Sequence, residues 1–314
     1  MISIARRPAR AARGGRRGRA QQQQQRRGRG AHSGSEMLLA AHVAAACAAA
    51  LADAPIYSAD FAKPLDLEFE ADLLDATGKH RVREPTAGWV LESVNNGSVA
   101  YTQDGKLYME NSGSHMVLWA NRQFPANGEV RFGVMPASTH VGLNIIFYAT
   151  MPLRNVTKYA NATTIFDVSL PPRGGNYPAY HGGNKNGRTS GSILGYSASY
   201  WRAGNGSQPC DRNPADGKCT ANLRKNPGFV ITAQGDDLVL GRSPKNGEAF
   251  EIVLRRVGPK TTISVDGETS LEYVDDGKMS APFQGGYVGL RQMLTTHIGV
   301  YTHFDVGAVN PDAL

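Results

Sequence analysis

GGYVGLRQM, residues 285–293, decides how the chain is read. After two glycines its side chains alternate: Val288, Leu290 and Gln292 fall on one side, and Tyr287, Gly289, Arg291 and Met293 on the other. A period of two marks a strand, whose successive side chains point to opposite faces. With Val288 and Leu290 turned to a core, Gln292 shares their side at the strand end. The opposite side offers a ring at Tyr287, room at Gly289 and a guanidinium at Arg291 that can hold a carboxylate by two parallel hydrogen bonds. The alternative for Arg291 is an internal acid such as Asp167.

The same period recurs outward from this stretch. Short β-rich runs are expected at 89–92, 98–101, 107–110, 115–119, 129–134, 141–149, 197–201, 229–233, 250–255, 261–265 and 300–306. Asn96-Gly97, Asp104-Gly105, Asn127-Gly128, Asp266-Gly267 and Asp276-Gly277 supply turns between them. Many short antiparallel strands and no helical period specify an all-β sandwich or jelly roll of two antiparallel sheets, in one domain over 55–314. In its last strand, Phe304 and Val306 should face inward, and Tyr301, His303 and Asp305 outward.

The net charge of +7 is misleading. Residues 1–36 hold ten arginines and one acid, whereas 55–314 carry 24 basic and 25 acidic residues, a net of −1. The folded part is therefore not a nucleic-acid binder by charge. The arm, built of Arg, Gly and Ala around Gln21–Gln25, has too few apolar residues to bury a core. It reads either as an RGG-like arm for nucleic acid or as a solvated extension. Residues 37–54 are apolar and alanine-rich, too short to span a bilayer of about 20 residues' thickness, and end in small-x-small cleavage patterns. Basic flank, apolar stretch and small-residue site give a secretory signal, hence an extracellular protein with no membrane segment after cleavage. Cys210 and Cys219 then remain and close a short loop, as a disulfide would in an oxidising compartment. Asn96, Asn155, Asn161 and Asn205 head sequons for glycosylation. No metal site is expected, although a structural calcium in a loop stays open.

Four stretches carry residue types that bear on chemistry. In DLEFEAD, residues 66–72, four alternating carboxylates suggest a charged, solvated edge strand. TIFDVSL sets Asp167 opposite Phe166 and Val168, and ASYWRAG sets Tyr200 and Arg202 opposite Trp201. Residues 150–196, rich in Pro, Gly, Asn and Tyr, form a long loop region holding Tyr177, Tyr180 and His181, and long loops in compact domains are usually functional or disordered. Its rings suit the wall of a sugar site.

The runs SHMVLWANRQFP, VGLNIIFYA, IFDVSL with YPAYHGG, SYWRAG, NLRKNPGF, YVDDG, and GYVGLRQM with VYTHFDV occur in that order. In these the chain resembles the YesU-like family of unknown function over about residues 85–308. The resemblance implies a concanavalin A-like jelly roll and a setting among pectin-degrading enzymes. It marks His115, Asp167, Tyr180, His181, Tyr200, Arg224, Arg291 and Gln292 as motif positions. A longer loop at 182–195 and a cysteine-closed insert at 203–220 depart from the pattern, so substrate does not transfer.

The leading expectation is a secreted protein acting on a polysaccharide, with a uronate lyase ahead of a hydrolase. Tyr200 or His181 would move the proton, Arg291 with Gln292 would neutralise the carboxylate, and His115, Asp167, Tyr180 and Arg224 would bind substrate without a cofactor. A hydrolase needs two carboxylates, and Asp167 lacks a second. The rival is a non-catalytic glycan-binding module. A third class, binding of RNA or phosphate, rests on the arginine arm alone.

Overall fold

The computed structural model describes residues 55–73, 75–76, 83–93, 97–112, 115–136, 142–152, 164–167, 193–203, 220–226, 230–239, 241–293 and 296–311. The arm, the leader, Tyr180, His181, Cys210, Cys219 and the sequon residues Asn96, Asn155, Asn161 and Asn205 lie outside them.

The described chain forms two sheets, each of eight strands. Sheet I runs in the order β14 (Glu268–Val274), β13 (Lys260–Val265), β12 (Phe250–Val257), β7 (Gly128–Val134), β16 (Thr296–Ala308), β5 (Lys106–Ser112), β4 (Val99–Gln103), with the short β1 (Tyr57–Ser58) pairing β16. Sheet II runs β11 (Val230–Asp236), β10 (Thr220–Asn226), β9 (Ile193–Ala203), β8 (Gly142–Pro152), β15 (Tyr287–Met293), β6 (His115–Ala120), β3 (Trp89–Ser93), β2 (Leu67–Phe69). All pairings are antiparallel save β2 with β3. The core lies between the sheets. Leu91, Met116, Leu118, Ile146, Leu223, Val288 and Leu290 from sheet II meet Leu107, Met109, Val130, Phe132, Ile252, Leu254, Ile263 and Phe304 from sheet I.

The Asp-Gly pairs close two hairpins as their chemistry requires. Asp104 and Gly105 have φ of 51° and 71°, and Asp266 and Gly267 have 50° and 79°. Both central residues of such a two-residue turn need positive φ, which glycine and aspartate tolerate best.

Three local expectations are corrected. DLEFEAD is an edge strand only at 67–69, and Glu70–Leu73 turns into a 3-10 helix, so the four carboxylates do not share a face. Asp66 and Glu68 instead accept backbone N–H groups, from Gly88 at 2.7 Å and Thr86 at 2.8 Å. Second, Tyr200 and Trp201 both join the core, because the β8–β9 register shifts between Asn144 and Ile145. Third, Tyr301 turns inward and is fully buried, because the β16–β7 register shifts between Tyr301 and Phe304. An extra residue in a ladder resets the alternation beyond it.

Candidate functional site

Every strand of sheet II has a side turned away from the core, and registration across the strands reads that outer face row by row. One row runs Glu92–Val117–Arg291–Ile145–Ser199–Asn222 through β3, β6, β15, β8, β9 and β10. The next runs Val90–Trp119–Gly289–Phe147–Ser197–Arg224. His115 lies two residues from Val117 on the same face, diagonally next to Glu92 and Arg291. Glu92, Trp119 and Arg291 are fully buried there, and Ser197, Ser199 and Asn222 nearly so. Phe166, in a 3-10 turn at Ile165–Asp167, covers part of the face by setting its ring edge-on to Tyr287 with centroids 5.6 Å apart.

Gly289 shapes this surface. A Cβ there would come within 2.5 Å of the Trp119 indole, so the absent side chain lets the ring lie across the strand.

The Arg291 Nη2 stands 3.2 Å from His115 Nδ1. A guanidinium only donates, so Nδ1 accepts and the imidazole proton sits on Nε2. Burial, and then the charge of Arg291, pulls the His115 pKa down to about 4. The imidazole is therefore neutral at neutral pH, with its acceptor nitrogen engaged by Arg291. Three strands from β15, the Arg224 Nε donates to Asn222 Oδ1 at 3.1 Å. With strands about 4.8 Å apart and a two-residue offset of about 6.6 Å along them, the Arg291 and Arg224 backbones sit about 16 Å apart. His115 and Arg224 are the half-exposed members of the set.

The expected site thus divides. Arg291, His115 and Arg224 share the outer face. Asp167 closes the turn over β8, and its side chain is outside the described residues. Tyr200 and Gln292, expected to be catalytic, lie in the interior. Tyr200 packs edge-on to Phe132 with centroids 5.3 Å apart. Gln292 reaches across the sandwich to the paired backbones of β5 and β16. In the orientation that satisfies both groups, its nitrogen donates to Met109 O and its oxygen accepts from Gly299 N, each at 3.1 Å. A Cβ at Gly299 would overlap that amide, so the glycine makes room for it. Gln292 is a cross-sheet fastener rather than a catalytic group, on the same side of the strand as Val288 and Leu290.

Sequence reasoning passed over Glu92, Trp119, Ser199 and Asn222. Their shared signal was alternation opposite core residues: Leu91 for Glu92, Leu118 for Trp119 and Leu223 for Asn222. Among the described residues no group of three or more His, Cys, Asp or Glu side chains is placed to hold a metal ion.

A family model described as "Domain of unknown function (DUF1961)" matches residues 77–306. The chain is 28% identical over 230 residues to the uncharacterized protein YesU of Bacillus subtilis, covering 72% of this chain and 91% of that protein. It is also similar to the crystal structure of a protein of unknown function with a galectin-like fold from Bacillus subtilis. There the identity is 29%, the TM-score 0.56, and the coverage 71% of this chain and 90% of the other.

Proposed function

We propose that this chain, which belongs to the DUF1961 family and carries a galectin-like sandwich, binds acidic glycans on the outer face of sheet II. One observation carries the reading: a neutral, half-exposed His115 backed at 3.2 Å by the buried Arg291. His115 and Arg291 stand together on this face, and the guanidinium favours a ligand that brings negative charge, such as a uronate carboxylate. Arg224, Asn222 and the serines of β9 extend the polar strip along the same rows. Secretion by way of the leader at 37–54 belongs to the proposal and supplies access to extracellular polysaccharide. N-terminal sequencing of the exported chain tests it, with a start near Asp53 or Pro55 expected.

Binding ranks above the lyase reading for two reasons. Tyr200 and Gln292 are in the core, and a His115 that carries its proton on Nε2 is a donor rather than a base. Affinity electrophoresis of the full chain in gels containing pectic, algal or glucuronic-acid polysaccharides measures retention. His115→Ala and Arg224→Ala should each lose retention on the acidic polymers. Equal retention on neutral glucans would remove the charge argument. Growth of ultraviolet absorbance from unsaturated uronate during incubation would restore the lyase.

A further inference from the structure

On the inner side of sheet II, beneath the glycan face, the described interior holds two cations and one carboxylate in Lys225, Arg256 and Asp275. Lys225 and Asp275 form a buried pair, Nζ to Oδ2 at 2.6 Å, with side-chain exposures of 0% and 1%. Tyr196 donates to the same carboxylate, and Lys225 Nζ also donates to Ser280 O at 2.5 Å. These contacts consume the one negative charge.

Arg256 is also buried, 1% exposed, on the inner side of β12. Its Nη2 donates to Phe283 O, and its Cζ sits 5.3 Å from the ring centre of Tyr196. Among the described residues, Nε and Nη1 have no acceptor, and neither does the buried Oγ1 of Thr261 find a partner. Thr261 is the register partner of Arg256 on β13, so the three groups stand on adjacent strands facing inward. A buried guanidinium with two idle donors is costly unless something accepts from them. A buried cation without a counter-charge costs more.

We infer that Arg256 and Thr261 hold a small monovalent inorganic anion of the chloride class inside the sandwich. Nε–H, Nη1–H and Oγ1–H all donate, which suits an anion and leaves a metal ion nothing to bind. A bound anion equalises the charges: Lys225 and Arg256 against Asp275 and the ion. The aromatic surroundings, with the Tyr196 ring against the guanidinium and the Phe283 ring against Lys225, strengthen each of these interactions by keeping water out. The enclosure also sets the size. A side chain 1% exposed has no room beside it for a sugar carboxylate arriving from solvent.

Two measurements on the full chain decide it. Melting in chloride is compared with melting in gluconate, an anion too large to enter, at matched ionic strength and pH. Chloride should raise the melting temperature by roughly 2–4 °C, as a ligand that binds only the folded state does. Thr261→Val should reduce that rise and Arg256→Met abolish it. Should Arg256→Met fail to fold, Thr261→Val with the wild type still decides. Crystals grown in bromide should show an anomalous peak within hydrogen-bond reach of Nε and Oγ1. Equal melting in the two salts, or a water in place of the anomalous peak, overturns the inference.

Discussion

The two outer faces of the sandwich both carry arginine and glutamate, and they handle them in opposite ways. On sheet I the charges stand half in water and form a chain. Arg131 reaches Glu129 at 2.6 Å and Glu251 at 3.3 Å, Arg255 reaches Glu129 at 2.7 Å, and His303 meets Glu251 at 3.0 Å. Burial raises the Glu129 pKa, but its two arginines outweigh that and hold the carboxyl below its usual range. On sheet II, Glu92 and Arg291 are fully buried beneath the face. The lesson is one of cost. Partly hydrated pairs are easily maintained and add little to stability, whereas withdrawing a charge from water is expensive. A fold that withdraws charges on one face only has marked that face as different.

The contrast can be broken by substitution. Lys225→Met, which strands the buried Asp275, should cost about 3–5 kcal/mol in denaturant unfolding. A cost no larger than that of an exposed arginine would end the distinction between buried and hydrated charge. Gln292→Leu should cost about 1–3 kcal/mol, since Met109 O and Gly299 N lose a buried partner. Gly289→Ala should displace the Trp119 indole, cost about 1–3 kcal/mol and change the tryptophan fluorescence. An unchanged spectrum would mean that the ring does not depend on the glycine.

A pH profile sharpens the comparison. The folded-state pKa of His115 is lowered to about 4 from an ordinary 6.5, so between those values the unfolded chain binds more protons. Stability should therefore fall as pH drops through 6.5 and level off near 4. His115→Gln should flatten that stretch of the curve, and an unaltered slope would remove His115 as its source. The smallest effect belongs to sheet I. Arg131→Ala should cost under about 1 kcal/mol, less at high salt.

Much of this was legible in the sequence. The Asp-Gly hairpins and the inward side of Val288, Leu290 and Gln292 follow from turn chemistry and a period of two. The parity of Gln292 was also readable, but its role was not, because the groups it serves belong to β5 and β16, far off in the chain. The bulges were not legible: one extra residue near Tyr200 and another after Tyr301 inverted what alternation assigned. Strands β10 and β14 were missed because Thr220–Asn226 and Glu268–Val274 are largely polar. Glu92 was missed because a lone glutamate in an apolar run reads as a solvated side chain, and only the folded chain shows it fully buried.

The two-residue β1 has a consequence for how the chain can be trimmed. Tyr57 lies among Trp89, Phe124 and Phe304, with ring centroids 6.2, 6.0 and 6.3 Å away, and the Arg122 guanidinium sits 5.0 Å from its ring centre. A chain clipped after Ala54 retains that wedge, and one clipped three residues later loses it and leaves Val306 of β16 paired on the β7 side alone. The tolerance at the start of the domain is thus measured in single residues.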